Sequence, residues 1–204
     1  TDAKVLSANE LLYAATLTND KARQEAIYKK TTELYPNDFR AYNNLGMMAY
    51  ANGDFTTAEN YFKQAASKSS NAAEVNTNLG LIELTKGNVA NAETYLSKST
   101  GANTANEALG NLYIKQGQYD RAVQAFGDTK TNSAALAQIL AKDYNKAKSP
   151  LSAVKNPDAY TNYLMAVVGA RTNNADLVKS SMDKVKQQDA ALAAKAQNDR
   201  EFAK

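Results

Sequence analysis

Apolar positions along the chain recur on two scales. Within segments of about a dozen residues they follow the 3–4 spacing of a helix buried along one face. In residues 39–72, Tyr42, Leu45, Met48 and Ala49 make one such stripe, and Ala58, Phe62 and Ala65 make a second. Between them lies Asn52-Gly53-Asp54, where glycine takes the left-handed conformation that ends a helix. Thr56 followed by Glu59 has the pattern of a capping box opening the second helix. The segment predicts helix, turn, helix.

On the longer scale Leu11, Leu45, Leu79 and Leu109 recur at intervals of 34, 34 and 30 residues. The same intervals relate Asn19, Gly53, Gly87 and Gly117, and also Tyr28, Phe62, Leu96 and Phe126. Three shorter series keep step: Gly46, Gly80 and Gly110, with Leu12 in their place in the first unit; Phe55, Val89 and Tyr119; and Ala58, Ala92 and Ala122. Shared intervals of this length mark an array of helical hairpins. Gly46 and Ala58 are small where the two helices of one hairpin cross, leaving room for the aromatic residues.

In the first unit Ser7 and Glu10 form a capping-box pattern, Asn19-Asp20 a turn, and Tyr35-Pro36-Asn37-Asp38 a stop. After residue 126 the repeat fades. Asp143-Tyr144-Asn145-Lys146-Ala147 echoes Gln118-Tyr119-Asp120-Arg121-Ala122. Ser149-Pro150 is expected to open or kink a helix and Asn156-Pro157 to end one. A further hairpin carries Tyr160, Tyr163, Leu164 and Val167, then a turn at Asn173-Asn174, then Leu177, Val178, Met182 and Val185. The expected organisation is one all-α array over 1–204: units at 5–38, 39–72, 73–102 and 103–130, an irregular stretch 131–157, a hairpin 158–187, and a polar capping helix 188–204.

Composition narrows the chemistry. The chain has no His and no Cys, which removes a Ser-His-Asp triad, a thiol nucleophile, and imidazole or thiolate metal ligation. No catalytic residue, cofactor or metal site is expected, and an enzyme site on the irregular stretch has little to build with. The formal charge of +3 lacks the clustered basic footprint of nucleic-acid binding. Arg121, Lys130, Lys142, Lys146 and Lys148 are interspersed with Asp120, Asp128 and Asp143 and read as a solvated face. Glu25 and Glu33 flank Lys29 at helical spacing for ion pairs. The longest apolar run, Tyr163 to Ala170, is too short to span a bilayer, so no direct membrane insertion is expected. The chain opens on Thr1, the expected start of a processed protein or of a piece of a longer one.

The pattern Tyr42…Leu45-Gly46…Gly53-Asp54-Phe55…Ala58…Phe62…Ala65 and its two downstream copies resemble the tetratricopeptide repeat of bacterial proteins. The resemblance covers residues 5 to about 130 well, although Asn76 and Asn106 stand where the early aromatic Tyr42 stands in the second unit. It implies a right-handed superhelical solenoid of antiparallel helix pairs, whose first helices line a concave groove for a protein or peptide partner. Mapped onto this chain, that groove would be lined by Tyr13, Arg40, Asn43, Met47, Tyr50, Asn78, Leu81, Leu84, Asn111, Ile114 and Lys115. The carboxylate clamp of chaperone-binding members is not expected: Asn43 and Met47 stand where its first Lys and Asn would be, and although Asn78 matches, Thr104 and Ala108 replace its later basic pair.

The alternative is an assembly module of a larger bacterial cell-envelope protein, matching a Cys-free, Asn- and Lys-rich chain. Periplasm or envelope is the expected compartment, with the cytoplasm as the alternative. Exposed terminal helices leave end-to-end stacking into a homodimer open.

Overall fold

The computed structural model describes residues 5–99 and 102–199, and among them every regular element is a helix. The chain divides into two compact units, Thr1–Ala105 and Asn106–Lys204. The first contains α1 (Ala8–Thr16), α2 (Lys21–Leu34), α3 (Phe39–Ala51), α4 (Phe55–Lys68), α5 (Ala73–Thr85) and α6 (Val89–Ser97). Helix α7 (Asn103–Lys115) begins at its end and belongs mostly to the second unit. There follow α8 (Tyr119–Phe126), α9 (Asn132–Leu140), α10 (Tyr144–Ser152), α11 (Ala159–Arg171), α12 (Ala175–Gln188) and α13 (Ala190–Gln197). Within each unit, successive helices pair into hairpins and each hairpin packs on the next.

Five hairpins share one turn. The amide N–H groups of Asp54, Asn88, Gln118, Asp143 and Asn174 donate to the carbonyls of Ala49, Glu83, Tyr113, Gln138 and Gly169 at 2.8–2.9 Å. The preceding residues, Gly53, Gly87, Gly117, Lys142 and Asn173, all have positive φ. This is the Schellman closure, which satisfies carbonyls left over at a helix end. The residue that closes it is at once the N-cap of the next helix, so no linker intervenes. The capping box expected at Thr56 and Glu59 is therefore replaced: α4 has already begun, and the Asp54 carboxylate accepts from the Thr57 N–H. The first turn departs from this plan, because Asn19 has no positive φ and Asp20 instead caps α2 through the N–H groups of Ala22 and Arg23. The Ser7–Glu10 capping box does form.

Close helix crossing sets the packing. A β-carbon at Gly46 would lie 2.5 Å from the Phe62 ring, one at Gly110 2.5 Å from Phe126, and one at Gly80 2.7 Å from Leu96. The absent side chain is thus the socket for the large residue of the partner helix. In the first unit Phe62, Val75, Leu79 and Ile82 close a core against which Tyr42 and Tyr50 pack. The shortened third interval falls after this contact: α4 continues past Phe62 to Lys68, whereas α6 stops at Ser97 just beyond Leu96.

Residues 131–157, where irregular structure was expected, contain the regular hairpin α9–α10. Its buried positions are largely alanine (Ala134, Ala135, Ala137 and Ala147), so its apolar stripe is faint in sequence. Pro150 does not open a helix; it is buried inside the last turn of α10, which ends before Asn156-Pro157. Lys29 pairs with Glu25 at 3.0 Å, but Glu33 approaches Lys30 instead. The end helix is α13, bounded at Gln197 and shorter than the 188–204 expected, with residues 200–204 outside those described.

The crossing predicts two unlike penalties. Gly46→Ala forces the Phe62 ring aside and should cost about 1–3 kcal/mol despite the better helix propensity of alanine. Gly53→Ala meets open space and pays only the left-handed backbone, about 1 kcal/mol. Urea unfolding monitored by circular dichroism measures both; equal stability of Gly46→Ala and the parent chain would contradict the socket.

Candidate functional site

One repeat position points outward from the first helix of each early hairpin. Tyr13, Met47 and Leu81 occupy it at 34-residue intervals; Tyr13 and Met47 are exposed, Met47 at 50%, and Leu81 is half-buried. Exposed apolar side chains in register on adjoining helices mark an interaction surface more than scattered ones do. Met47, Tyr50, Asn78 and Leu81 line one cleft of about 430 Å³ in the first unit, floored by Phe62 and bordered by Thr77 and Thr104. Its wall is mainly aliphatic and aromatic, with a few polar groups at the edge, the usual make-up of a binding cleft.

The polar edge is built from the inside. Asn43 is buried on α3, and its Oδ1 accepts from Asn78 Nδ2 on α5 at 2.9 Å, while its own Nδ2 reaches the Met47 sulfur at 3.7 Å. The two amides tie α3 to α5 and set the half-buried Asn78 at the cleft. Tyr50 is held by Phe55, the first residue of α4, with ring centroids 5.1 Å apart. Arg40 is committed elsewhere: it grips Asp38, the N-cap of α3, with Nη2 2.6 Å from Oδ2. That guanidinium holds the Asp38 carboxyl below its ordinary range.

A charge network clamps the neighbouring elements. Lys86 lies 2.9 Å from Glu59 on α4 and 3.1 Å from Glu83 on its own helix, and Lys63 lies 3.0 Å from Glu59. The largely buried Glu83 also accepts from Asn88 Nδ2 at 2.9 Å. The Glu59 carboxyl is held low by Lys86 first and Lys63 second, and that of Glu83 by Asn88 first and then Lys86. Lys86 is raised in turn.

Of the residues expected to line a groove, the structure gathers Met47, Tyr50, Asn78 and Leu81 at the cleft, with Asn43 behind them. Leu84 is half-buried on α5 outside its lining, and Tyr13 stands exposed on α1. Asn111, Ile114 and Lys115 belong to the second unit. Sequence reasoning missed Phe62, Ala73, Glu74, Thr77, Ala102 and Thr104 as lining; Phe62 and Thr77 look like plain core positions because both are buried beneath the cleft. Among the described residues no helix is long and apolar enough to cross a membrane.

Two outcomes test this geometry. Asn78→Ala strands the buried Asn43 oxygen and should cost about 1–3 kcal/mol; a chemical-denaturation loss below the error of the fit would show that the bridge does not form. Because Asp38, Glu59 and Glu83 titrate lower when folded, their stabilisation is present above the ordinary carboxylate range and lost as pH falls below about 4.5. Denaturation midpoints across that range should fall more steeply for the parent chain than for Glu59→Gln. Parallel slopes would remove Glu59 from the network.

The comparisons agree with this architecture. Three family models, each described as tetratricopeptide repeat, match residues 27–60, 49–107 and 106–130. No curated protein matches the sequence. Among solved structures, PilF of Pseudomonas aeruginosa has a TM-score of 0.76 at 13% identity, over 94% of this chain and 96% of that one. PilW, described as a widely conserved type IV pilus biogenesis factor, has a TM-score of 0.63 at 17% identity, over 96% of each chain. YrrB, described as a TPR protein with an unusual peptide-binding site, has a TM-score of 0.64 at 19% identity, over 84% of this chain and 97% of that one. At these identities the likeness is one of fold, an all-α solenoid of helical hairpins. With its glycine sockets, shared turns and matched repeats in register, the chain belongs to the tetratricopeptide-repeat family.

Proposed function

We propose that this chain is a protein-interaction scaffold without a catalytic role, and that the α3–α5 cleft receives an extended peptide segment of a partner protein. The repeats of this family generally mediate protein–protein interaction. The observation that carries the finer reading is the in-register apolar row Tyr13, Met47 and Leu81 beside Asn78. Apolar side chains of a peptide fill the cleft, and the Asn78 amide, fixed by Asn43, hydrogen-bonds its backbone. Tyr13 and Leu84 remain candidate extensions of that groove within the first unit, while Asn111, Ile114 and Lys115 remain candidates for partner contact on the second.

A photo-crosslinking residue placed at Met47 should capture a contiguous segment of one protein in native cells. A synthetic peptide of that segment should bind the purified chain and weaken at least about tenfold on Met47→Lys, as expected for a central anchor. If the peptide binds parent and variant equally while both are folded, the cleft is not the site.

A second reading is an assembly module of a cell envelope. It is supported by the full-length fold likeness to PilW, itself described as a pilus biogenesis factor. Fractionation of native cells tests it: recovery with the envelope or periplasm is expected, and recovery in the cytosol alone would end it.

A further inference from the structure

The second unit carries two clefts that share a wall. One, of about 260 Å³, lies among the end of α8, the α8–α9 connection, α9 and α10, and Lys130, Gln138, Lys146 and Ser149 line it over Phe126. The other, of about 430 Å³, lies at the turns of the α9–α10 and α11–α12 hairpins and is lined by Lys142, Lys146, Arg171 and Asn173. Lys146, in the first turn of α10, faces both. Four cationic side chains thus meet two carboxylates, Asp128 in the first cleft and Asp143 in the second.

Three features of this surface are unexplained by folding. Lys130, Lys142 and Lys146 make no ion pair, although Asp128 and Asp143 line the same clefts. The Gln138 Oε1 is buried and accepts no hydrogen bond, although it lines a cleft; buried acceptors are almost always satisfied. Lys142 has φ 67° at the turn position filled by Gly53, Gly87, Gly117 and Asn173 in the other hairpins. A lysine there carries the strain that glycine avoids, and its exposed ammonium returns nothing to the fold. The turn demands the left-handed backbone but not a lysine in that place, and a side chain kept at such a cost points to function.

An occupant must bring several anions at short intervals together with hydrogen-bond donors. An extended acidic polypeptide does both, because alternate carboxylates lie about 7 Å apart and each residue between them offers an N–H. Free phosphate supplies the charge without that array. We infer that the two clefts form one docking site for an acidic, extended segment of a partner protein. Its carboxylates meet Lys130, Lys146 and Lys142, and one backbone N–H donates to Gln138 Oε1 once that side chain turns into the cleft it lines. The site uses no residue of the α3–α5 cleft and stands independently of the reading given for it.

The test is fluorescence anisotropy of a fluorescein-labelled polyglutamate peptide titrated with the whole chain. Saturable binding is expected, weakening about tenfold or more as salt rises from about 50 to 200 mM. Lys130→Glu with Lys146→Glu should lose at least about tenfold in affinity, and Gln138→Leu should weaken binding with charge unchanged. Lys142→Gly should raise the unfolding midpoint yet bind less tightly, a pairing that a purely structural lysine does not give. Lys179→Glu with Lys184→Glu on α12, and Met47→Lys, should bind as the parent does, and circular dichroism confirms that each variant is folded. The inference is overturned if the parent does not bind, if the α12 reversal weakens binding as much, or if pyrophosphate displaces the label at lower concentration than unlabelled peptide.

Discussion

The contact on which the rest of the molecule depends is the burial of one large side chain against a missing one: Phe62 on Gly46, Leu96 on Gly80, Phe126 on Gly110. Interiors are close-packed, so two helices approach this closely only where one contributes no side chain. The contact fixes both the distance and the register of each hairpin. Once register is fixed, the residue that follows the glycine on the first helix (Met47 after Gly46, Leu81 after Gly80) is carried to the same outward position. The candidate surface is therefore a by-product of the packing rule, and Met47 and Leu81 are free to vary in chemistry because neither takes part in the socket. The first hairpin departs from the rule, with Leu12 in the glycine position and no positive-φ turn; α1, the first helix of the array, buries Leu11 and Ala15.

The turns are economical for a related reason. One residue closes the outgoing helix through its N–H and caps the incoming one, so backbone groups at two helix ends are satisfied within a few residues. This coupling leaves little freedom in the hairpin, and length variation moves to the other end. The change from 34 to 30 residues is close to one helical turn, and it is taken from the C-terminal end of α6, where the socket is already complete.

That division explains what was legible in the sequence. Gly46, Gly80, Gly110 and their partners announce the hairpins because glycine leaves the crossing open to a large side chain, and Gly53, Gly87 and Gly117 announce the turns because glycine takes the left-handed backbone without strain. The α9–α10 hairpin was obscure because it meets the same demands with other residues, alanine for bulk and Lys142 for the turn. The cleft was half legible. Periodicity brings Met47, Tyr50, Asn78 and Leu81 to one side, but it cannot tell that Asn43 is spent on Asn78, or Arg40 on Asp38. Such pairings depend on which elements lie side by side, which a repeat spacing does not encode.

Net charge conceals a comparable asymmetry. A formal +3 spread over 204 residues reads as an even, solvated surface, and interspersed Asp120, Asp128 and Asp143 reinforce that reading. In the first unit it is fair, since Lys29, Lys63 and Lys86 are each met by a glutamate. On α10 and its flanking loops the same mixture of signs does not produce pairs, although Asp128 lines one cleft with Lys130 and Asp143 the other with Lys142 and Lys146. Charge that is neutralised locally contributes little to recognition, whereas charge left facing a cleft retains its field. The chemistry of a helical-repeat surface is thus decided by pairing within the fold, and two units with similar hairpins present unlike faces: an apolar cleft edged by amides in one, and lysines without carboxylate partners in the other.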